Sequence, residues 1–499
     1  MGTQTPGRRP RGLGNRRLGA AQIVFFVVAA AGPLYAIAGG VSTTYAVTGS
    51  IGVPLSFAVL APILALFAVG YAAMSRYITN AGAFYPYVAN GIGKSSGTAI
   101  AFVTLIAYNA IQISIYGLFG WSVSNWLSTM FGATLPWWLP ALVMAVIVGI
   151  LGVLRVDINA KVLGVALCLE VAVIAVIDIV LYTHPADGHA SFASLDPAHL
   201  FTAGVGAVFA FSVAVFTGFE GAATYGEECR DPSRTVGRAT YVAIWLTAVL
   251  YFASSLAMSV AAGPDGVVPG SRANGPALLF GLSARHVGAI FSDTAYILFM
   301  TSQCAALLSF HNAVARYFFA LGREGLLPEP LSRTARRTGA PIVGSLVQTV
   351  LALVVVAAFA LAAGDPITQL FAWLGVTAST GVVIIMVAVS LAVIGFFRRR
   401  AGEETAWRRW IAPGLAALAL AAILVLILVN FDLLLGAAGT TALRWALPGL
   451  LLAAGLAGFG RAEVLRFRRP EVYARIGGAV QDDEHRAVGE PAAGLRESR

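Results

Sequence analysis

The chain has 499 residues, 58% of them hydrophobic and only 11% charged, whereas a soluble protein of this length carries about 25% charged residues. Its net charge of +9 is parcelled between apolar runs rather than gathered into a patch, which argues against a nucleic-acid partner. Three well-separated cysteines (Cys168, Cys229 and Cys304) suggest neither a disulfide framework nor a metal cluster. With no HExxH, paired CxxC or P-loop, the sequence calls for no metal or cofactor and supports no enzyme reading.

Apolar runs of about 20 residues, the length that crosses roughly 30 Å of hydrocarbon, recur from end to end. They predict an all-α polytopic membrane protein whose partner is the lipid bilayer. The spans fall at 20–48, 52–76, 97–131, 137–154, 158–183, 202–226, 236–262, 286–321, 342–363, 368–397, 410–430 and 443–464. With the beginning of the chain in the cytoplasm, all but three of the 33 lysines and arginines fall on the cytoplasmic side. Only Arg272, Arg285 and Arg444 lie outside. One missed span would scramble that bias, so both ends are expected inside, in a multi-pass protein of the plasma membrane. The longest outside segments, 182–201 and 263–285, are rich in Gly, Pro, Asp and Ser and read as loops. Segment 1–19 reads as a basic cytoplasmic tail and 465–499 as a charged cytoplasmic one.

In chain order, span 1 carries Ala30-Ala31-Gly32-Pro33 near its middle. Proline removes a helix donor and clashes with the preceding turn. An unwound turn there bares backbone N–H groups, and a half-helix N-terminus adds positive dipole, which suits an anion such as a carboxylate. Span 3 holds Tyr108, Asn109 and Gln112 in an apolar setting. Span 5 holds Lys161, Glu170 and Asp178. Nine positions separate Lys161 from Glu170, so a straight helix points them to opposite faces. Each has a plain role, Lys161 as a salt bridge to Asp157 and Glu170 as an interhelical tie. Each also has a functional role, as a proton carrier. Span 6 places Gly218 and Gly221 around Glu220. A carboxylate near mid-membrane costs roughly 2.5–3.5 kcal/mol, so Glu220 caps freed backbone at a break or serves gating or coupling. The carbonyls of Phe216, Thr217 and Gly218 would face a cation such as an α-amino group. Span 8 adds Asp293, Ser302, Gln303, His311 and Asn312, with His311 read as a hydrogen-bonded tie between helices.

Two interrupted spans five apart point to a paired-repeat transporter. Because five is odd, 20–183 and 202–397 would run in opposite senses through the membrane, with 410–464 outside the repeat.

The quoted residues resemble the amino acid–polyamine–organocation superfamily of permeases over nearly all of 20–465. GFEGAATYGEECRDPSRTVGRA, at 218–239, is similar to the family's GFE…EE…(D/N)P.R..P.A signature. FAVGYAAMSRYITNAGAFYPYVANGIG resembles the stretch from span 2 toward span 3, and ARYFFALGREGLLP followed by GAP the stretch after span 8. The chain departs from the family at Ala30-Ala31-Gly32-Pro33, where many relatives have a G-S-G-type break, and at Gly237-Arg238-Ala239, where they have PxA. The resemblance implies a five-plus-five inverted repeat with substrate held between the breaks of spans 1 and 6. It also implies a coupling role for Lys161, which sits about where some proton-coupled relatives carry a span 5 lysine.

These readings converge on a proton-coupled secondary transporter of amino acids. Ala30, Ala31, Gly32, Tyr108, Phe216, Thr217, Gly218 and Glu220 would hold the substrate, and Lys161 or Glu170 the proton. An amino acid/amine antiporter and a polyamine importer are the near alternatives. A non-transporting membrane sensor is the alternative of a different class, and a channel is disfavoured because no span carries a repeated polar stripe.

Overall fold

The computed structural model describes residues 24, 27–28, 31–78, 84–154, 160–186, 188–219, 232–335, 338–400, 404–436 and 440–478. Every regular element among them is helical. Among the described residues, nine helices are long and apolar enough to cross a membrane, and Trp138–Leu154 and Val205–Phe216 are shorter apolar helices. We label α1 the interrupted segment made of Pro33–Tyr35, a π-helical turn Ala36–Val41 and Ser42–Thr48. The helices that follow are α2 Val53–Met74, α3 Lys94–Phe131, α4 Trp138–Leu154, α5 Ala160–Thr183 and α6 Val205–Phe216. They continue as α7 Pro232–Ala262, α8 Ala289–Arg323, α9 Ile342–Leu361, α10 Ala372–Arg399, α11 Ala412–Val429 and α12 Thr441–Arg468.

Local sequence sets many of the ends. Pro54 occupies the first turn of α2, where its missing N–H costs nothing. Gly132 ends α3 with φ of 64°, the left-handed conformation that glycine adopts freely. Asp365 caps the π-helical turn Pro366–Phe371 ahead of α10 by accepting the N–H groups of Ile367 and Thr368.

Helix α3 organises the bundle. Its apolar window is 78% buried, and it packs on α4, α8, α9, α10 and α12. Helix α12 is peripheral, only 11% buried, and leaves Leu452, Leu456 and Phe467 exposed for contact with lipid. Around the α1 interruption stand α5, α6, α7 and α8.

One face of the bundle carries the basic connections. There Glu404 accepts from Arg76 at 2.8 Å and from Arg408 at 3.0 Å. The described residues just after α12 pack on the bundle: Pro470–Arg475 is helical, Asn90 donates to the Gly477 carbonyl at 2.8 Å, and the Gly477 N–H donates to Glu324 at 3.1 Å. The opposite face also differs from expectation. The 263–285 segment forms two helices, Val267–Asn274 and Ala277–Val287. Gly266 introduces the first and Gly275-Pro276 separates them, so these residues punctuate helices instead of preventing them.

Candidate functional site

The site grows from the interruption of α1. Gly32 has φ of 45° and ψ of 75°, a left-handed conformation that costs most residues strain. A Cβ there would lie 2.2 Å from Cδ1 of Tyr35 and 3.1 Å from Oγ of Ser302, so the position takes glycine alone. Pro33 follows and has no N–H to give. Helical bonding resumes with the Ala36 N–H on the Gly32 carbonyl at 2.9 Å, leaving the Leu34 N–H free of the helix. The Leu34 N–H donates instead to Oε2 of Glu170 on α5, across a long 3.5 Å. The same oxygen accepts a stronger bond from the Ser302 hydroxyl of α8 at 2.9 Å. Glu170 is buried, and among the described residues no lysine, arginine or histidine pairs with it. A single carboxylate therefore joins three helices at the depth where α1 comes apart.

The second interruption closes α6. Its last helical residue is Phe216, Thr217 turns to an extended conformation, and Gly218 takes φ of 123°. Thr217 bonds back into its own helix, with its hydroxyl and its N–H both donating to the Val213 carbonyl at 3.0 Å. The hydropathy pattern runs through this point as one span to 226, and the helix ends just before Gly218, one of the two glycines expected to interrupt it.

The two interrupted helices touch. A Cβ on Gly40 would meet the Val215 side chain at 2.5 Å, and one on Gly39 would meet Leu118 of α3 at 2.6 Å. Small residues here let the helices close up. Between them lies a cavity walled by Tyr35, Ile111, Phe211, Val215 and Phe371, of about 20 Å³, room for roughly one water molecule. Toward the face opposite the basic one, a vestibule of about 610 Å³ opens beside Thr43, Trp121, Arg272, Asp365 and Thr368.

The expected site residues divide accordingly. Ala31 and Gly32 are buried at the first interruption, and Thr217 and Gly218 form the second. The Phe216 ring turns toward α2 and α7, edge-on to Phe57 and Tyr251 at 5.8 and 5.5 Å. Tyr108 packs against Phe310 and Tyr317 of α8, at 6.4 and 6.5 Å. Ala30 and Glu220 lie outside the described residues, as does the side chain of Lys161. His311 ties helices as expected: Nε2 is 2.7 Å from the Ser345 hydroxyl of α9, and Nδ1 is 3.3 Å from Nε2 of Gln112 on α3. Sequence reasoning did not join Ser302 to Glu170, because nothing local links a serine on one helix to a carboxylate 132 residues away. Nor did it find the cavity walls, since Ile111, Phe211 and Phe371 are apolar residues among apolar neighbours.

Comparison with known proteins follows the same outline. The amino acid permease family matches residues 27–449. A branched-chain amino acid permease, BcaP of Lactococcus lactis, is 24% identical over 371 residues, which cover 71% of this chain and 76% of that protein. The low-affinity putrescine importer PlaP of Escherichia coli is 23% identical over 291 residues, 56% of this chain and 60% of the importer. The vacuolar cationic amino acid transporter 4 of Arabidopsis thaliana is 30% identical over 162 residues, 31% of this chain and 26% of that one. The chain belongs to the amino acid permease family.

Proposed function

We propose that this amino acid permease is a proton-coupled secondary transporter that moves an amino acid with an apolar side chain by alternating access. The basic face is cytoplasmic in this reading, as the lysine and arginine distribution favours, and the membrane is the plasma membrane. Residues 20–183 and 202–397 form the two inverted units. The substrate carboxylate takes the backbone N–H groups at the α1 interruption, and its amino group takes carbonyls near Phe216, Thr217 and Gly218. The apolar walls formed by Ile111, Phe211 and Phe371 suit an apolar side chain better than a diamine's second ammonium group. At about 20 Å³ the cavity represents the closed-down form, which must widen to admit substrate.

One observation carries the coupling. Glu170, buried without a cation among the described residues, holds the N–H of Leu34 at the place where the substrate carboxylate would bind. A charged Glu170 repels that carboxylate, and a protonated one does not. Proton and substrate would therefore load together, with Glu170 as the carrier and Lys161 as the second candidate. One charge moving through 100 mV supplies about 2.3 kcal/mol, enough for roughly 50-fold accumulation. Amino acid uptake into proteoliposomes should rise when an acid-outside gradient or an inside-negative potential is imposed. Uptake indifferent to both would refute proton coupling.

A further inference from the structure

The vestibule, at about 610 Å³, has the size of a small-molecule site. Its walls continue those of the inner cavity. On α1, Ala36 and Gly40 line the cavity, and Thr43 and Val47, on the following turns, line the vestibule. On the facing wall, Phe371 and Gly375 line the cavity, and Ile367 and Thr368, one turn earlier, line the vestibule. The same two elements therefore wall both spaces, and Thr43 stands roughly 15 Å outward of Gly32 along α1.

Opposite charges border this space. Val267–Asn274 and the turn Pro366–Phe371 both pack on the outer end of α1, Ser42–Thr48. The first carries Arg272, and Asp365 caps the second; both line the vestibule. Nε of Arg272 donates to the Ala46 carbonyl at 2.9 Å, and its two terminal nitrogens make no hydrogen bond among the described residues. Oδ1 of Asp365 takes the N–H groups of Ile367 and Thr368 at 2.9 and 2.6 Å, which leaves Oδ2 unused. Neither residue belongs to any of the ion pairs among the described residues.

Two buried hydroxyls of the same lining are also unanswered. Thr43 is 2% exposed and Ser271 1%, yet neither hydroxyl has a hydrogen-bond partner. A threonine inside a helix can bond back to the carbonyl one turn earlier, as the neighbouring Thr44 does to Gly40 at 2.8 Å. Thr43 and Ser271 do not, and buried donors without partners call for an explanation.

We propose that the vestibule is an outer binding site that holds a zwitterionic amino acid before it reaches the inner cavity. The ligand's carboxylate lies on the terminal nitrogens of Arg272, with the Thr43 and Ser271 hydroxyls as further donors, and its ammonium lies on Oδ2 of Asp365. A zwitterion answers both charges at once, whereas an amine alone would leave the guanidinium unanswered. The site rests on the proposed substrate class, and it adds a second place where that substrate binds.

The test is equilibrium dialysis of the purified full chain against radiolabelled leucine. The parent should bind two molecules per chain, and Arg272→Gln and Asp365→Asn should each bind one. Asparagine is as good a cap as aspartate, so D365N removes the charge and keeps the turn. The molecule still bound shows that each variant is folded. In proteoliposomes, the KM for leucine uptake should rise about tenfold in each, as expected for losing a hydrogen-bonded charged partner, and Arg272→Lys should recover part of the loss. Two molecules bound by either variant overturns the outer site. So does a single molecule in the parent that both variants retain, an outcome that leaves the inner site standing. A single molecule in the parent that both variants lose, at an unchanged unfolding temperature, keeps the outer site and removes the inner one. Loss of binding in step with a lowered unfolding temperature marks a structural role and overturns the outer site.

Discussion

At Gly32 the first helix comes apart and its freed Leu34 N–H reaches a carboxylate on another helix, whereas at Gly218 the sixth helix ends on its own Thr217. Backbone groups in lipid must find partners, and the two breaks show different ones. The bond at Thr217 is local, made within its own helix and by an uncharged side chain. The remote solution at Leu34 makes the first break answerable to the charge on Glu170 and to the position of α5 and α8.

Substitutions should separate the two, beginning with Gly32→Ala. It forces a Cβ to 2.2 Å from the Tyr35 ring in a left-handed backbone, and strain of about 1–3 kcal/mol on top of the clash should abolish uptake. Normal uptake by G32A would mean that the α1 geometry is not needed. Glu170→Gln keeps the shape and the acceptor but fixes the charge at zero. Gradient-driven accumulation should fall about 100-fold while exchange continues, the effect of removing one proton carrier. If Lys161→Ala uncouples transport and E170Q does not, the carrier is the lysine. Ser302→Ala removes the stronger of the two bonds to Glu170. Hydrogen bonds to charged groups contribute roughly 1.5–3 kcal/mol, so coupled uptake should drop about tenfold and Ser302→Thr should restore most of it. Thr217→Val should do least: about 1 kcal/mol of stability in a thermal-shift assay, with the gradient response intact. A lost gradient response in T217V would erase the distinction between the breaks.

What could be read in the sequence follows the range of each interaction. Gly32-Pro33 announces a break because glycine and proline act on the backbone where they stand. Glu170 and Asp178 stand out because a carboxylate in an apolar span is costly wherever it points. Their partners do not stand out. Ser302 and Ser254 are ordinary serines in apolar helices, and each meets its carboxylate only through the way α8 and α7 lie against α5. On α3, helix rotation sets Tyr108 against Phe310 and Tyr317, while Ile111, one turn on, lines the cavity, and the spacing alone does not say which residue faces where.

The sequence by itself determined the solvent of this protein, the run of its membrane helices and the two points where they break. Each of these follows from the transfer cost or backbone freedom of residues next to one another in the chain. The tertiary structure decided which broken end meets a carboxyl, which rings enclose the cavity, and which serine each buried carboxyl accepts from. Those depend on the rotation and depth of one helix against another, and packing of many apolar side chains at once sets both.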